Sequence, residues 1–273
     1  MSLSDWTDWN QAAVARLKSH GIQNIDLSTF PSSSLAAVLV LLYEDAGQLR
    51  VLLTTRSKLL RTHAGQTALP GGRVDDTDKD LTHTAYREAH EEVGLPLDCP
   101  HIQTLCTFEP FLSLHRLLVT PVVALLTDNS ILEGLTASEG EVSRIFSHPL
   151  EALLDPMIVK DDALAAFGSD DWFYENELHN TTDSLVPLLG NSPYRMHRFR
   201  STASPVKGLT SDILVCVSSV IGLHPIISSQ ISIAQLAFDK QPTYERYAPG
   251  QPHGFREIIA IVQEQMPSNA KSA

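Results

Sequence analysis

A run of nine apolar residues, Leu35–Tyr43 (LAAVLVLLY), constrains the fold more than any other segment of this chain. The run has no polar position, so it predicts a strand that is buried on both faces rather than a half-exposed one. It is also too short to span a bilayer as a helix. Turn-forming residues 44–48 (EDAGQ) and a second apolar segment, Leu49–Thr55, follow. We therefore expect these two strands to form a hairpin inside the protein.

Helical and strand-like segments alternate in mixed order along the rest of the chain. Leu81–Val93 has a helical pattern, Gly94 suits the position just after a helix, and Pro96 blocks its continuation. We expect further helices over 4–20 (with Ser4 or Asp5 as N-cap), 149–154, 210–223, 229–238 and 254–266, and strands over 103–110, 115–126, 141–148 and 194–200. This order predicts a single layered α/β domain with a mixed sheet.

Composition changes along the chain suggest three parts. We expect an N-terminal helical extension over residues 1–32 and the α/β domain over 33–225. An acidic, irregular insertion interrupts that domain at about 155–190. A helical tail follows over 226–273, and we expect its last seven residues to be disordered.

The net charge of −12 bears on which classes of partner the protein can bind. It argues against non-specific nucleic-acid binding, which needs a basic surface. An anionic substrate would need a local basic patch or a bound metal. Without a basic and apolar N-terminal leader or a long apolar run, we expect no secretory signal and no membrane partner. We expect a cytoplasmic protein, with a peroxisomal location as the alternative, because Arg16-Leu17 and Gln23 have the spacing of a peroxisomal signal from which Asn24 departs.

Three glutamates lie within five residues of the predicted helix 81–93. Glu88, Glu91 and Glu92 stand at i, i+3 and i+4, so they share one face. We expect Arg87 and His90 to lie off that face and to leave the glutamates without neutralising partners. Two interpretations follow from this spacing: a solvated acidic face, or a site for Mg²⁺ or Mn²⁺, which prefer hard oxygen ligands.

The loop before this helix favours the metal site. Residues 56–80 are rich in Gly, Pro and polar residues, and a loop of this length inside a compact domain is usually functional. It contains Leu69-Pro-Gly-Gly-Arg73, in which the glycines allow close approach of the backbone to a ligand. A carbonyl of this turn could then join the carboxylates.

Gly72 and Arg87-Glu-Ala-His-Glu-Glu-Val-Gly-Leu95 together resemble the Nudix box, G-x5-E-x7-R-E-U-x-E-E-x-G-U, in which U is a bulky aliphatic residue. The second half matches at every demanding position. Two departures lie in the first half: Asp78 stands in place of the first glutamate, and the loop before Arg87 is one residue longer. The resemblance implies the Nudix fold, an α/β/α sandwich around a mixed sheet, for residues 33–225.

The upstream residues resemble one branch of that family, the coenzyme A pyrophosphatases. Leu52–Gly72 (LLTTRSKLLRTHAGQTALPGG) follows the pattern L-L-T-x-R-S-x-x-L-R-x-H-x-G-Q-x-x-F-P-G-G, with Leu69 in place of Phe. Residues 141–154 and 206–214 resemble later segments of the same branch, with Lys207 where Trp is common. The resemblance covers about residues 33–222. It implies hydrolysis of coenzyme A to 3′,5′-ADP and 4′-phosphopantetheine, with a small-molecule diphosphate as the partner.

This resemblance also implies roles for individual residues. Glu88, Glu91 and Glu92, with the carbonyl of Gly71, would hold Mg²⁺ or Mn²⁺. The general base would be Glu88 or a loop carboxylate, for which Glu141 is the first candidate and Glu139 the second. Arg87 would pair with Asp78 and pin the loop to the helix. Arg56, Arg61, His63 and Gln66 would bind the substrate, because a guanidinium holds phosphate through two hydrogen bonds.

Two alternative functions remain open at this point. One is hydrolysis of another diphosphate, such as a nucleotide sugar, a dinucleotide cofactor or a prenyl diphosphate; Leu69, Lys207 and the insertion are the reasons to keep it. The other is a non-catalytic binding module with the same fold.

Overall fold

The structure is a computed structural model that describes residues 6–222, 246–252 and 254–264. Numbered in chain order, its helices are α1 (Asp8–His20), α2 (Leu81–Val93), α3 (Leu209–Gly222) and α4 (Phe255–Glu264). Its strands are β1 (Leu35–Asp45), β2 (Gln48–Arg56), β3 (Thr67–Ala68), β4 (Gly71–Arg73), β5 (Ile102–Thr107), β6 (Phe111–Leu112), β7 (Leu118–Leu126), β8 (Val142–Pro149), β9 (His179–Val186), β10 (Ser192–Phe199) and β11 (Val206–Lys207). Short 3₁₀ turns cover 32–34, 129–134, 150–153, 156–159 and 187–189.

The main sheet is mixed, as predicted. Its central path runs β3-β2-β1-β7-β5, with β4 against β1, β6 against β7 and β8 against β2. The pair β1–β7 is parallel, and the other pairs of this sheet are antiparallel. A second, antiparallel sheet has the order β11-β10-β9.

The central strand β1 is buried on both faces, as its apolar run predicts. Its residues alternate between two cores. Val40 and Leu42 belong to the core that includes residues of α1 and α3, whereas Leu39 and Leu41 belong to the core that includes residues of α2. Helices therefore cover both faces of the sheet, which gives the expected α/β/α layers.

The hairpin of β1 and β2 opens into a fork, and this opening positions the glycine loop. The two strands pair only near their shared turn, over residues 42–45 and 48–51. Further along, β3 pairs with β2 and β4 pairs with β1, so residues 67–73 fill the gap between them. The N–H of Leu39 in β1 also donates to the carbonyl of Pro70 at 2.8 Å. The loop is thereby built into the sheet.

The start of α1 differs from the prediction. The helix begins at Asp8, and the Thr7 hydroxyl accepts a hydrogen bond from the Asn10 N–H at 3.2 Å. Thr7 is therefore the N-cap, and the prediction of Ser4 or Asp5 in that role is wrong. Threonine is among the residues preferred at this position, because its hydroxyl can accept a hydrogen bond from a free N–H of the first turn.

The segment 155–190 is not wholly irregular, which corrects a second prediction. It contains β9, which pairs with β10 over eight residues. The sequence of β9, HNTTDSLV, is polar and mostly exposed, so it lacks the apolar alternation that identifies a strand. Backbone pairing and an ion pair between Asp183 and Arg195 at 2.7 Å hold it in place.

The remaining predicted elements agree with the structure to within a few residues, with two further exceptions. The strand expected from 115 begins at Leu118, because residues 113–117 form a turn. The helix expected over 229–238 and the last seven residues lie outside the described residues. Within the described part, no helix is long and apolar enough to cross a membrane.

Candidate active site

Helix α2 holds the three glutamates, and its limits match the prediction. The Asp80 side chain caps its start by accepting a hydrogen bond from the His83 N–H at 2.7 Å. Gly94 ends it in the left-handed conformation, with φ 71°. The apolar face buries Ala85, Ala89 and Val93 against the sheet. The flank of the helix beside this face brings Glu88 and Glu92 against the glycine loop, whereas Glu91 is more exposed.

Two consecutive glycines of β4 lie directly against two of these carboxylates. A Cβ atom at Gly72 would come within 2.4 Å of the Glu88 carboxylate, so this contact exists only because residue 72 has no side chain. The N–H of Gly71 donates to Glu92 Oε2 at 3.3 Å. The loop and the helix thus form one site.

Arg87 connects the loop, the helix and two of the glutamates. Its Nε and Nη2 each lie 2.9 Å from a different oxygen of Asp78, as the predicted pairing requires. Its Nη1 donates to Glu88 Oε1 at 2.9 Å and to Glu91 Oε2 at 3.0 Å. The expectation that Arg87 lies off the glutamate face is therefore wrong. The long arginine side chain reaches across the face from a backbone position beside it.

The Asp78 carboxylate is fully enclosed and multiply bonded. Its side chain has no exposed surface, and it also accepts hydrogen bonds from Thr84 Oγ1 at 2.9 Å and the Asp75 N–H at 2.9 Å. The Arg87 guanidinium holds the pKa of this carboxyl well below its usual range. Asp78 is therefore charged and fixes Arg87 from the loop side.

Burial raises the pKa of two of the three glutamates on α2. The Glu92 side chain is only 8% exposed, and burial raises its pKa to about 7 despite the Gly71 N–H and Arg56. Burial also raises the pKa of Glu88, against the effect of Arg87. Glu91 is the most exposed of the three. A further cation in this site would stabilise the charged form of these carboxylates.

The donor set suits a hard divalent cation, although its side chains are not gathered around one point. In the part of the chain that the structure describes, no three His, Cys, Asp or Glu side chains converge closely enough to hold an ion. Arg87 stands between Glu88 and Glu91 and bonds one oxygen of each. The other oxygens, and the buried carboxylate of Glu92, have the chemistry that Mg²⁺ and Mn²⁺ prefer.

The upstream loop brings one of its four predicted substrate residues into contact with the glutamates. Arg56 Nη1 lies 3.7 Å from Glu92 Oε1, and its backbone N–H donates to the Gln66 carbonyl at 2.9 Å. His63 Nδ1 contacts Gln66 Oε1 at 3.1 Å. Arg61 and His63 are exposed on the outer part of this loop.

The two loop carboxylates among the candidate bases, Glu141 and Glu139, lie on a segment that docks on the end of α2. The N–H of Ser138 donates to the Glu92 carbonyl at 2.9 Å, and the N–H of Ser57 donates to the Glu141 carbonyl at 2.7 Å. Glu141 is exposed and close enough for its charge to contribute to the raised pKa of Glu92. Glu139 is exposed on the same loop.

Sequence reasoning missed one residue in this region. His115, in the turn between β6 and β7, places its Nε2 2.8 Å from Nε2 of His63. A lone histidine in an otherwise apolar stretch has no motif around it. Only the fold brings residues 63 and 115 together.

Comparisons with known proteins agree with this architecture. The NUDIX domain family matches residues 34–166. Nudix hydrolase 15, mitochondrial, from Arabidopsis thaliana is 38% identical over 68% of this chain and 58% of its own length. The peroxisomal coenzyme A diphosphatase NUDT7 of Mus musculus is 36% identical over 51% of this chain and 57% of its own length. The chain thus spans less than two thirds of the length of these relatives.

Among solved structures, the NUDIX domain of Shewanella oneidensis NrtR complexed with ADP ribose is 28% identical. The match covers 48% of this chain and 82% of that one, with a TM-score of 0.35. Because that score is low, the assignment rests on the sequence matches. Residues 34–166 of this chain are a NUDIX domain.

Proposed function

We propose that this chain is a divalent-metal-dependent hydrolase of coenzyme A that releases 3′,5′-ADP and 4′-phosphopantetheine. One observation carries the proposal: the carboxylates of Glu88 and Glu92 lie against Gly71 and Gly72, directly after the 52–72 stretch that resembles the coenzyme A branch. The name of the mouse relative, a coenzyme A diphosphatase, supports the choice of substrate.

Glu88, Glu91 and Glu92, with the carbonyl of Gly71, are the proposed ligands of Mg²⁺ or Mn²⁺. A bound metal would offset the charge of the diphosphate and polarise its phosphoryl oxygens. Such an ion would compete with the guanidinium of Arg87 for oxygens of Glu88 and Glu91, to which Arg87 is bonded. Asp78 fixes the other side of that guanidinium. Arg87 is therefore assigned to positioning rather than to substrate binding.

The other proposed roles follow from position around these carboxylates. Glu141 is the proposed general base that orients the attacking water, with Glu88 and then Glu139 as alternatives. Arg56, next to Glu92, is the proposed contact of the diphosphate. Arg61, His63 and Gln66 follow Arg56 on the same loop and are proposed to contact the rest of the substrate.

A second candidate is hydrolysis of another diphosphate, because Leu69 and Lys207 depart from the coenzyme A pattern. A non-catalytic module is a poorer candidate, since the three box glutamates are all present. A cytoplasmic location, or a peroxisomal one, remains a prediction that imaging of the tagged full-length protein would test.

A substrate panel tests the proposal. The protein would be incubated with Mg²⁺ and coenzyme A, acyl thioesters of coenzyme A, a nucleotide sugar, a dinucleotide cofactor or a prenyl diphosphate, and the products separated by chromatography. We expect 3′,5′-ADP and 4′-phosphopantetheine from coenzyme A, and no product in EDTA. If coenzyme A stays intact while another diphosphate is cleaved, the substrate assignment is wrong.

Replacement of single carboxylates tests the metal assignment. We expect Glu91→Gln or Glu92→Gln to lower kcat by several orders of magnitude while the melting temperature changes little, because each removes a proposed metal ligand. Glu133→Gln, an exposed glutamate on the 129–134 turn, is the matched control and should keep wild-type turnover. Wild-type kcat in Glu92→Gln would refute the assignment.

A further inference from the structure

We propose that His115 binds a phosphomonoester group of the substrate, with His63 as the residue that orients it. This inference rests on the proposed function, because it assigns a further part of the same substrate. It starts from the contact between the two imidazoles, whose Nε2 atoms are 2.8 Å apart and whose planes are inclined at 84°. Both rings are exposed.

Hydrogen-bond chemistry sets the direction of the contacts. The Oε1 atom of Gln66 is an acceptor only, so the Nδ1 of His63 that faces it at 3.1 Å carries the hydrogen. In neutral His63 the Nε2 atom then has a lone pair, and Nε2–H of His115 must donate to it. The direction is therefore His115 to His63 to Gln66.

This direction leaves one ring nitrogen of the pair for a ligand. Both nitrogens of His63 are engaged, whereas Nδ1 of His115 has no hydrogen-bond partner among the described residues. When His115 is protonated, its Nδ1–H can donate to an anion while Nε2–H keeps its bond to His63. His63, which is predicted to bind the substrate, therefore orients His115, and His115 contacts the phosphate group.

Hydrogen bonds close the two turns that carry His63 and His115. The turn at 113–117 is closed by the Ser113 N–H, which donates to the Leu117 carbonyl at 2.8 Å, and by the Leu117 N–H, which donates to Ser113 Oγ at 3.0 Å. On the other loop, the Gln66 N–H donates to the His63 carbonyl at 3.1 Å.

Local charge makes an anion the fitting ligand. The chain carries −12 overall, yet it has no acidic residue between Asp45 and Asp75 or between Glu109 and Asp128. The exposed cations of the two loops that meet at this pair are Lys58, Arg61 and Arg116. A phosphate dianion would be attracted here.

The position of the imidazole pair relative to the glutamates indicates which phosphate group His115 would bind. Gln66 is hydrogen-bonded through its backbone to Arg56, and Arg56 faces Glu92. His63 is exposed three residues before Gln66 on that loop, and His115 meets it from the 113–117 turn. The diphosphate is proposed to lie at Arg56 and the carboxylates, so the group at His115 is a separate phosphomonoester.

Binding of a product fragment tests this without turnover. Adenosine 3′,5′-bisphosphate and adenosine 5′-monophosphate would be titrated into the full chain, with affinities measured by calorimetry for wild type, His115→Phe and His101→Phe. His101 is an exposed histidine near the opposite end of β7, so it is the matched control. We expect His115→Phe to bind the bisphosphate about tenfold more weakly, the effect of one charge-assisted hydrogen bond. Its affinity for the monophosphate, and both affinities of His101→Phe, should equal those of wild type.

Nitrogen NMR of the histidines supplies a second measurement on the wild type. His63 should show a protonated Nδ1 and an unprotonated Nε2, and the bisphosphate should protonate Nδ1 of His115. The inference is overturned by the opposite tautomer of His63, by unchanged bisphosphate affinity in His115→Phe, or by equal losses for both nucleotides. If coenzyme A is not cleaved but the bisphosphate result holds, only the proposed function fails.

Discussion

Gly71 and Gly72 need to be glycine for different reasons, although they are neighbours in one short strand. A Cβ atom on Gly71 would meet the backbone of β1, at 2.4 Å from the Ala37 carbonyl oxygen and 2.6 Å from Val38 Cα. The three atoms nearest to a Cβ atom on Gly72 would all belong to the carboxyl group of Glu88. The first glycine is therefore required by the fold, and the second by the placement of a carboxylate.

This difference gives a residue-scale prediction. Gly72→Ala should change the free energy of unfolding by less than about 1 kcal/mol, because a flexible side chain can move away. It should still lower kcat at least tenfold, since Glu88 leaves its place. Gly71→Ala should cost about 3 kcal/mol or more, because backbone atoms cannot move aside as freely. Denaturant unfolding and turnover of both variants check this, and full activity of Gly72→Ala would contradict it.

Side-chain contacts also change the interpretation of the charge on the glutamate face. Three glutamates on a helix face suggest mutual repulsion, yet Arg87 bonds two of them while both oxygens of Asp78 hold its other side. Any metal in this site would have to share Glu88 and Glu91 with that guanidinium. This arrangement depends on the conformation of one long side chain, which spacing along the sequence does not determine.

At the scale of elements, strand β8 carries a histidine whose burial makes stability depend on pH. His148 pairs with Val51 of β2, and its Nε2 has no hydrogen-bond partner in the described part of the chain. Burial, with a smaller effect of Arg50, lowers its pKa to about 3. An unfolded histidine has a pKa of about 6.5. Between these values the unfolded chain binds more protons, so the free energy of unfolding falls as pH falls.

We expect His148→Leu to remove this part of the pH dependence. Between pH 7 and pH 5, wild type should lose about 2 kcal/mol more stability than the variant, at about 1.4 kcal/mol per pH unit below 6.5. Urea unfolding at both pH values measures it. His179 and His197 also have lowered pKa values through burial, but they contribute equally to both proteins. Parallel losses in the two proteins would show that His148 does not titrate as described.

At the scale of the whole molecule, helix α1 belongs to the same core as α3 and one face of the sheet. Leu17 is fully buried in that core, and Arg16 donates a hydrogen bond to the Ile221 carbonyl at the end of α3. The segment expected to be an extension therefore contributes to the core that supports the sheet. Its boundary at residue 32 as a separate part remains a prediction.

Leu17→Ala should consequently destabilise the entire domain. We expect a loss of about 3 kcal/mol in the free energy of unfolding, in the range of large-to-small changes in a packed core. Lys18→Ala, on the exposed side of the same helix, is the control and should change stability by less than about 0.5 kcal/mol. The transition should stay cooperative, and monitoring α2 by hydrogen exchange should show the same loss there. If α2 keeps its protection, α1 folds as an independent unit.

Much of the fold could be predicted wherever the signal is local. Leu81–Val93 has helical periodicity and a glycine stop, so its limits agree with the structure to the residue. The double-sided burial of β1 follows from its unbroken apolar run. By contrast, the prediction lacks β3, β4, β6, β9 and β11, because two- and three-residue strands and a polar strand carry no local pattern. They are held by backbone pairing with other strands: β3 with β2, β4 with β1, β6 with β7, and β9 and β11 with β10.

Residue types at fixed local spacing are enough to predict the Nudix domain, the carboxylate helix and the pairing of Arg87 with Asp78. Three features depend on tertiary contacts instead: the glycine loop enters the fork of the first hairpin, Arg87 also holds Glu88 and Glu91, and His115 faces His63. Packing of the whole domain sets the directions of these side chains. It also sets which segments of the chain become neighbours. The contact between residues 63 and 115 corresponds to no repeating pattern of residue types in the sequence.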